Sequence, residues 1–335
     1  MALLFVIALA FACSTGPTWS WPDADFADQG GAPFDPDTII DQTASLTDDQ
    51  SVPQSVVQSF LMQTPYGTQS FLATYASNGV SAAEAMQNAA TTYQLNPLVF
   101  LVRAEIDQAL ISQVSYPAPA SRVEFAFGCG CDVTPSPTNP SPKCDPSLAG
   151  FDKQVDCLAR TMRSYLDSVC GTPQATAGGW AMGTTKTTID GVAVTPSNEG
   201  TAALYQYAPL VLVNEQGGNW LFWNVYQMFA NAVSYPGAYV EGFVGDSCCG
   251  NDDCSAYPSG VCVVNYPSGM CSQPCDAQNV CPSDTGRVSV CVDTGPPTGP
   301  YCFFDCTNDP CRPGYVCETV DILGGGTTSA CKPGS

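Results

Sequence analysis

The sequence predicts a mainly α domain followed by a small, disulfide-rich region of irregular and β-hairpin structure. Three observations carry that prediction. Apolar residues recur at helical spacing in segment after segment between residues 53 and 245, and no long alternating pattern appears there. Thirteen of the 19 cysteines fall within 248–331, the density of a scaffold held by bridges. Between these cysteines the chain is rich in Pro, Gly and Asp and shows little periodicity.

The helical segments follow in order. VVQSFLMQ (56–63) and SFLATYASNG (70–79) place apolar residues at helical spacing, the second stopping at Gly79. SAAEAMQNAATTY (81–93) opens with Ser81 as cap and Glu84 three residues on, the pattern of a capping box. Asn96–Pro97 opens NPLVFLVRAEIDQALIS (96–112) as cap and first-turn proline. GFDKQVDCLARTMRSYLDSVC (150–170), TPSNEGTAALYQYAPL (195–210) and NWLFWNVYQMFANAV (219–233) complete the set, and TTKTTIDGVAV (184–194) reads as a short hairpin. Residues 53–245 thus form the helical domain, and 246–335 the cysteine-rich region.

Ahead of them, MALLFVIALAFAC (1–13) is an apolar run too short to span a bilayer but suited to an export signal. Its lack of a basic stretch implies a start further upstream. Cys13 ends AFAC, an imperfect lipoprotein signal with bulky Phe11 where a small residue is usual, which makes it a lipidation candidate and the only expected route to a membrane. Residues 14–52 carry eight Asp and no Lys or Arg, and read as an acidic, disordered tether.

Cysteine spacing in the last region repeats every 26 to 31 residues. Cys249, Cys254, Cys262 and Cys271 form one group of four. Cys275, Cys281, Cys291 and Cys302 form the next, and Cys306, Cys311, Cys317 and Cys331 the last. Cys248 is left over, beside five cysteines of the helical domain. The expected pairing there is Cys157 with Cys170, and Cys144 with either Cys129 or Cys131. The remaining one would reach Cys248 and clamp the two regions together.

Composition excludes whole classes of function. Net charge is −21, with 31 acidic residues against 10 basic, and the acid is spread along the chain, so nucleic acid is not an expected partner. There is no histidine. That removes Ser-His-Asp and Cys-His hydrolases and histidine-bound zinc, and leaves carboxylates as proton carriers. No cofactor motif is present, and GNDDC and TNDPC read as turns rather than metal loops.

The 96–112 helix carries charges at its centre although only 12% of residues are charged. On a helical wheel Glu105 shares a face with Leu98, Leu101 and Val102, while Arg103 and Asp107 lie opposite, four residues apart. Apolar residues occur all round, which makes the helix central. A structural Arg103–Asp107 ion pair and a catalytic carboxylate are both open readings.

NPLVFLVRAEIDQALI resembles the catalytic-helix segment of lytic transglycosylases and goose-type lysozymes. It stands in order with TPYGTQSFLA (64–73), GCGC…CDP (128–146), GFDKQV (150–155), TAALYQYAP (201–209) and NWLFW (219–223), a set similar to that of secreted bacterial proteins with a lysozyme-like domain. The resemblance spans about 55–235. It implies a lysozyme-like domain that cleaves the β-1,4 bond between N-acetylmuramic acid and N-acetylglucosamine through one helix-borne acid. The family's catalytic Glu falls on Asp107, one methylene shorter, with Glu105 as the alternate candidate. The resemblance further implies that Tyr205 braces the acid, that Gln154 and Tyr207 lie near the sugar, and that Trp180 stacks on a ring. Glu124 is a weaker candidate for activating water. The cysteine-rich region resembles repeats of myxobacterial surface proteins in composition.

Three functions follow as expectations: an exported peptidoglycan-cleaving enzyme, a binding protein for wall glycan that has lost catalysis with the Glu-to-Asp change, or a surface adhesion protein whose cysteine-rich region meets a protein partner.

Overall fold

The computed structural model describes residues 33–132, 143–170, 174–212, 217–237, 242–254, 257–284, 287–294, 299–312 and 314–334. The expected export signal, Cys13 and the first part of the expected tether lie outside these residues. Among them, no helix is long and apolar enough to cross a membrane.

The mainly α expectation does not hold. About 35% of the described residues are helical and 17% are in strands, with helix confined almost wholly to the first two-thirds of the chain. The sequence understated the strands because most are two residues long and the four longer ones, of five to seven residues, lie among the Pro, Gly and Cys of the last region. The disulfide-rich region with hairpins is present.

Among the described residues, eight α-helices build the first body: α1 (Thr43–Thr47), α2 (Gln54–Met62), α3 (Ala82–Tyr93), α4 (Pro97–Gln108), α5 (Ser121–Glu124), α6 (Phe151–Cys170), α7 (Glu199–Tyr207) and α8 (Gly218–Ala232). α4 packs on α8, and α6 packs on both α3 and α7. Every residue of α4 from Pro97 to Glu105 is buried, as apolar residues on all sides of its wheel require. Asn96 Oδ1 caps it by accepting the Leu98 N–H at 3.0 Å, and Ser81 Oγ caps α3 through the Glu84 N–H at 3.2 Å.

Segment 70–79 is not a helix. A single 3-10 turn (Phe71–Ala73) leads into a two-residue hairpin in which Ser77 faces Val80. Asn78 and Gly79 sit at its tip with φ of 52° and 84°. Asn-Gly is the favoured pair for such a turn because both positions need positive φ, and that local demand outweighs the apolar spacing.

The described part of the expected tether is built into the fold. Ile39, Ile40, Leu46 and Val52 are at most 3% exposed and belong to the main core. Asn198 Nδ2 donates to the Ile40 carbonyl at 2.7 Å, and the Thr195 N–H to Asp37 Oδ1 at 2.6 Å. Asp35 and Asp48 cap turns there, and Asp37 ties the stretch to the segment ahead of α7.

In the last region the bridges follow one rule. Cys248–Cys262 and Cys254–Cys271, then Cys275–Cys291 and Cys281–Cys302, then Cys306–Cys317 and Cys311–Cys331, join first to third and second to fourth in each group. The third and fourth cysteines face each other across a hairpin every time: Cys262 and Cys271, Cys291 and Cys302, Cys317 and Cys331. Opposed residues project to one face of a ladder, so both cysteines reach the segment ahead of the hairpin and pin it there. This adds a covalent hold to the small apolar cluster that the modules share around Met270, Val292 and Phe303.

The remaining pairings correct the expected ones. Cys157 bonds Cys129 and not Cys170. Of the two partners open to Cys144, the structure joins it to Cys131, directly opposite in a short ladder. The link between the two bodies is Cys170–Cys249, with Cys248 serving as first cysteine of the first module. Cys170 ends α6, where it meets the neighbouring body instead of turning back on its own helix.

Candidate functional site

α4 ends at Gln108, four residues sooner than its sequence pattern. Ala109 takes a left-handed conformation at φ 52°, and its N–H bonds the Glu105 carbonyl at 2.6 Å. The chain then folds back over the helix end. Glu105 holds it there: Oε2 accepts the Ile111 N–H at 2.8 Å and the Ser112 N–H at 3.0 Å. Arg122 of α5 donates to the Gln108 carbonyl, a cation placed at a helix C-terminus.

Glu105 is 1% exposed. Burial raises its carboxyl above the usual glutamate range, opposed by the Ser112 and Ile111 N–H groups and the Tyr66 hydroxyl. The side chain therefore faces inward and acts as a clasp for the turn that follows α4.

Asp107 is on the opposite side, toward α7. Arg103 Nη2 donates to Oδ1 at 2.5 Å and Arg103 Nε to Oδ2 at 3.2 Å. This is a two-point grip one helical turn apart, with side chains 10% and 21% exposed. Tyr207 closes the group: its hydroxyl is 3.5 Å from Asp107 Oδ2, and the guanidinium lies 4.1 Å above its ring. Burial raises the Asp107 carboxyl, and the Arg103 charge opposes that rise.

The structure separates the other expected site residues. Of the set, Tyr207 alone meets Asp107. Tyr205 is fully buried, donates to the Pro36 carbonyl at 2.8 Å and stacks on Trp180 at 4.9 Å. It braces the N-terminal segment and not the acid, because its place in α7 points it into the core. Trp180 is 2% exposed, with Lys186 5.3 Å over its ring, so it has no face for a sugar. Gln154 is fully buried: Oε1 accepts the N–H groups of Phe127 and Cys129, and Nε2 donates to the carbonyls of Cys129 and Leu148. All four bonds tie down the loop that carries the Cys129 bridge. Glu124 is exposed at the end of α5, and its charge acts on Tyr116 rather than on Asp107.

Two residues that sequence reasoning missed stand beside the end of α4. Tyr116 is 45% exposed and forms an aromatic cluster with Tyr75 and the buried Phe71, ring centroids 5.7–5.8 Å apart. The Phe71 N–H donates to the Gln113 carbonyl at 2.7 Å, and Ser70 Oγ to the Leu110 carbonyl at 3.1 Å. These bonds fix the 109–116 turn, and with it Tyr116, on the 70–75 turn. Tyrosines flanking the motif segments SFLATY and ISQVSYP were the available signal.

No family model matches the chain, and neither the curated proteins nor the solved structures contain a match to it.

Proposed function

We propose that the protein is an exported binder of β-1,4-linked cell-wall glycan, related to lytic transglycosylases and goose-type lysozymes, that holds its ligand without cutting it. One observation carries this reading. Where the family's catalytic Glu falls, this chain has a shorter carboxylate with both oxygens held by Arg103. A general acid needs a proton on an oxygen aimed at the leaving group. Arg103 occupies both positions, and Glu105, the alternate, faces the interior.

Binding rests on half-buried Tyr75 and exposed Tyr116, whose rings beside the end of α4 suit the apolar face of a pyranose ring. The compartment accords with it. Nine disulfides belong to an oxidising environment. Export through residues 1–13, with or without a lipid on Cys13, would deliver the chain there. Cleavage is the second reading, and the raised Asp107 carboxyl favours it, because a protonated carboxyl is what a general acid requires.

The test is incubation of the full chain with purified sacculi, following co-sedimentation together with release of reducing ends and anhydro-muropeptides. Retention without product, weakened about tenfold in Tyr75→Ala/Tyr116→Ala, is the expected result. Product that disappears in Asp107→Ala would replace the binding reading with the enzymatic one.

A further inference from the structure

Between the helical body and the cysteine-rich region lies a cavity of about 560 Å³, within the range that holds small ligands. α1 and the 48–51 turn form one wall, α6 a second, and the first two cysteine modules the third. It shares no lining residue with the Asp107 site. Because Cys170 and Cys249 are bonded at its edge, the walls are covalently joined.

The charges along the walls are nearly all spoken for. Arg287 grips Asp246 through both terminal nitrogens and lies 4.5 Å over the Phe243 ring. Arg163 pairs with Asp167 at 2.8 Å and donates to Ser247 Oγ at 3.1 Å. Asp253 accepts the N–H groups of Cys249 and Gly250, and Asp48 those of Gln50 and Ser51 along with the Tyr235 hydroxyl. Asp49 is different. Among the described residues its carboxylate is bonded to nothing but the neutral amide of Gln50, at 2.9 Å. It is half-buried, and burial, with Asp246 adding to it against the opposing Gln50 hydrogen bond and the charge of Arg287, pushes its carboxyl up to about 7. An anion so placed gains most from a cation brought in from outside.

The rest of the lining decides which cation. A calcium ion takes 6–8 oxygen ligands, and the other carboxylates here are committed to backbone N–H groups or to arginine. Leu166 and Phe243 supply apolar wall, with Tyr257 edge-on to Phe243 at 6.1 Å. That suits a hydrocarbon stem and an aromatic neighbour for a positive charge.

We infer that this cavity binds a small organic ammonium ion, its charged nitrogen on Asp49 and its alkyl stem along the Leu166 and Phe243 wall. Such a group is presented by diamines and by lysine-type side chains. The site is independent of the glycan reading.

The test is isothermal titration of the full chain at pH 8 with 1,5-diaminopentane, hexanoate and calcium chloride in turn. Diaminopentane is expected to bind the parent, Asp49→Glu and the distant surface variant Asp309→Asn alike, and Asp49→Asn at least tenfold more weakly. Hexanoate and calcium are expected to give no comparable binding. Affinity should fall as pH drops through 7, where Asp49 gains its proton. Asp48, Asp246, Asp253, Arg163, Arg287 and Tyr257 face the same space, and the Asp49→Asn variant separates its titration from theirs. Absence of diamine binding to the parent, equal binding by Asp49→Asn, or a preference for calcium would overturn the inference. Should Asp49→Asn lose its fold, the pH series and Asp49→Glu decide alone.

Discussion

Arg103 and Asp107 are joined at two points across one turn of α4, and the ring of Tyr207 covers the arginine side of the pair. The arrangement explains how a central, nearly all-apolar helix tolerates opposite charges. Each removes the other's need for water, and α7 seals them. It also predicts that the pair acts as a unit. Arg103→Met and Asp107→Asn should each cost about 2 kcal/mol, since either leaves a partly buried group without its partner. The double variant should cost less than their sum by about 1 kcal/mol or more. Urea unfolding of the four proteins measures this, and strict additivity would show that the pair is not coupled.

Glu105 should matter through the turn it clasps. Glu105→Ala leaves the Ile111 and Ser112 N–H groups without their acceptor, a loss of about 2–3 kcal/mol. Glu105→Gln keeps an acceptor oxygen and removes the titration. The folded-state carboxyl lies above its ordinary value of 4.5, so the folded chain binds the proton more tightly than the unfolded one. Stability contributed by this group is therefore full below about pH 4.5 and is lost as pH rises through the folded value. Urea unfolding at intervals from pH 4 upward should give Glu105→Gln a shallower decline than the parent. Parallel curves would mean that Glu105 titrates normally.

Gln154 is predicted to be a stability residue. Gln154→Ala removes four hydrogen bonds to the backbone of Phe127, Cys129 and Leu148, and should cost about 2–4 kcal/mol. Thermal melting would report this, while retention on sacculi at a temperature where the variant is folded should stay at the parent level.

Tyr205→Phe should loosen the N-terminal segment locally. Its hydroxyl is bonded to the Pro36 carbonyl, and loss of that bond is worth about 1 kcal/mol. Hydrogen exchange over residues 33–47 should speed up, with α4 unchanged. An effect on α4 as large as that on 33–47 would restore the role in bracing the acid that the resemblance implied.

Cutting the link between the bodies should split one unfolding event into two. A bridge closing 79 residues contributes about 4–5 kcal/mol by loop entropy. In Cys170→Ser/Cys249→Ser, calorimetry should find separate transitions for the helical body and the cysteine-rich region. A single transition at the parent's temperature would show that noncovalent contacts suffice.

Much of the helical body was legible because its signals were local and mutually consistent. α3 and α4 carry cap, first-turn residue and apolar period together, and the i,i+4 spacing of Arg103 and Asp107 places both on one face. The tether misled because eight aspartates outweigh Ile39, Ile40, Leu46 and Val52 in any average, although those few apolar residues enter the core. The motif gave Tyr205 the place beside the acid that Tyr207 holds. Two positions differ by about 200° around a helix, so one faces the core and the other the Arg103 pair. Nor could spacing choose between Cys248 and Cys249, adjacent residues that point into different bodies.

The first-to-third, second-to-fourth bridging has a consequence for biogenesis. A chain emerging N-terminus first presents the first two cysteines of each module to oxidant before the hairpin behind them exists. Pairing in order of appearance would then join first to second and third to fourth, and neither is a native bond. Each module must therefore either wait in the reduced form until its hairpin closes or exchange partners afterwards through thiolate attack on a formed bridge. Formation of the native bridges should accordingly depend on a disulfide isomerase and not on an oxidase alone.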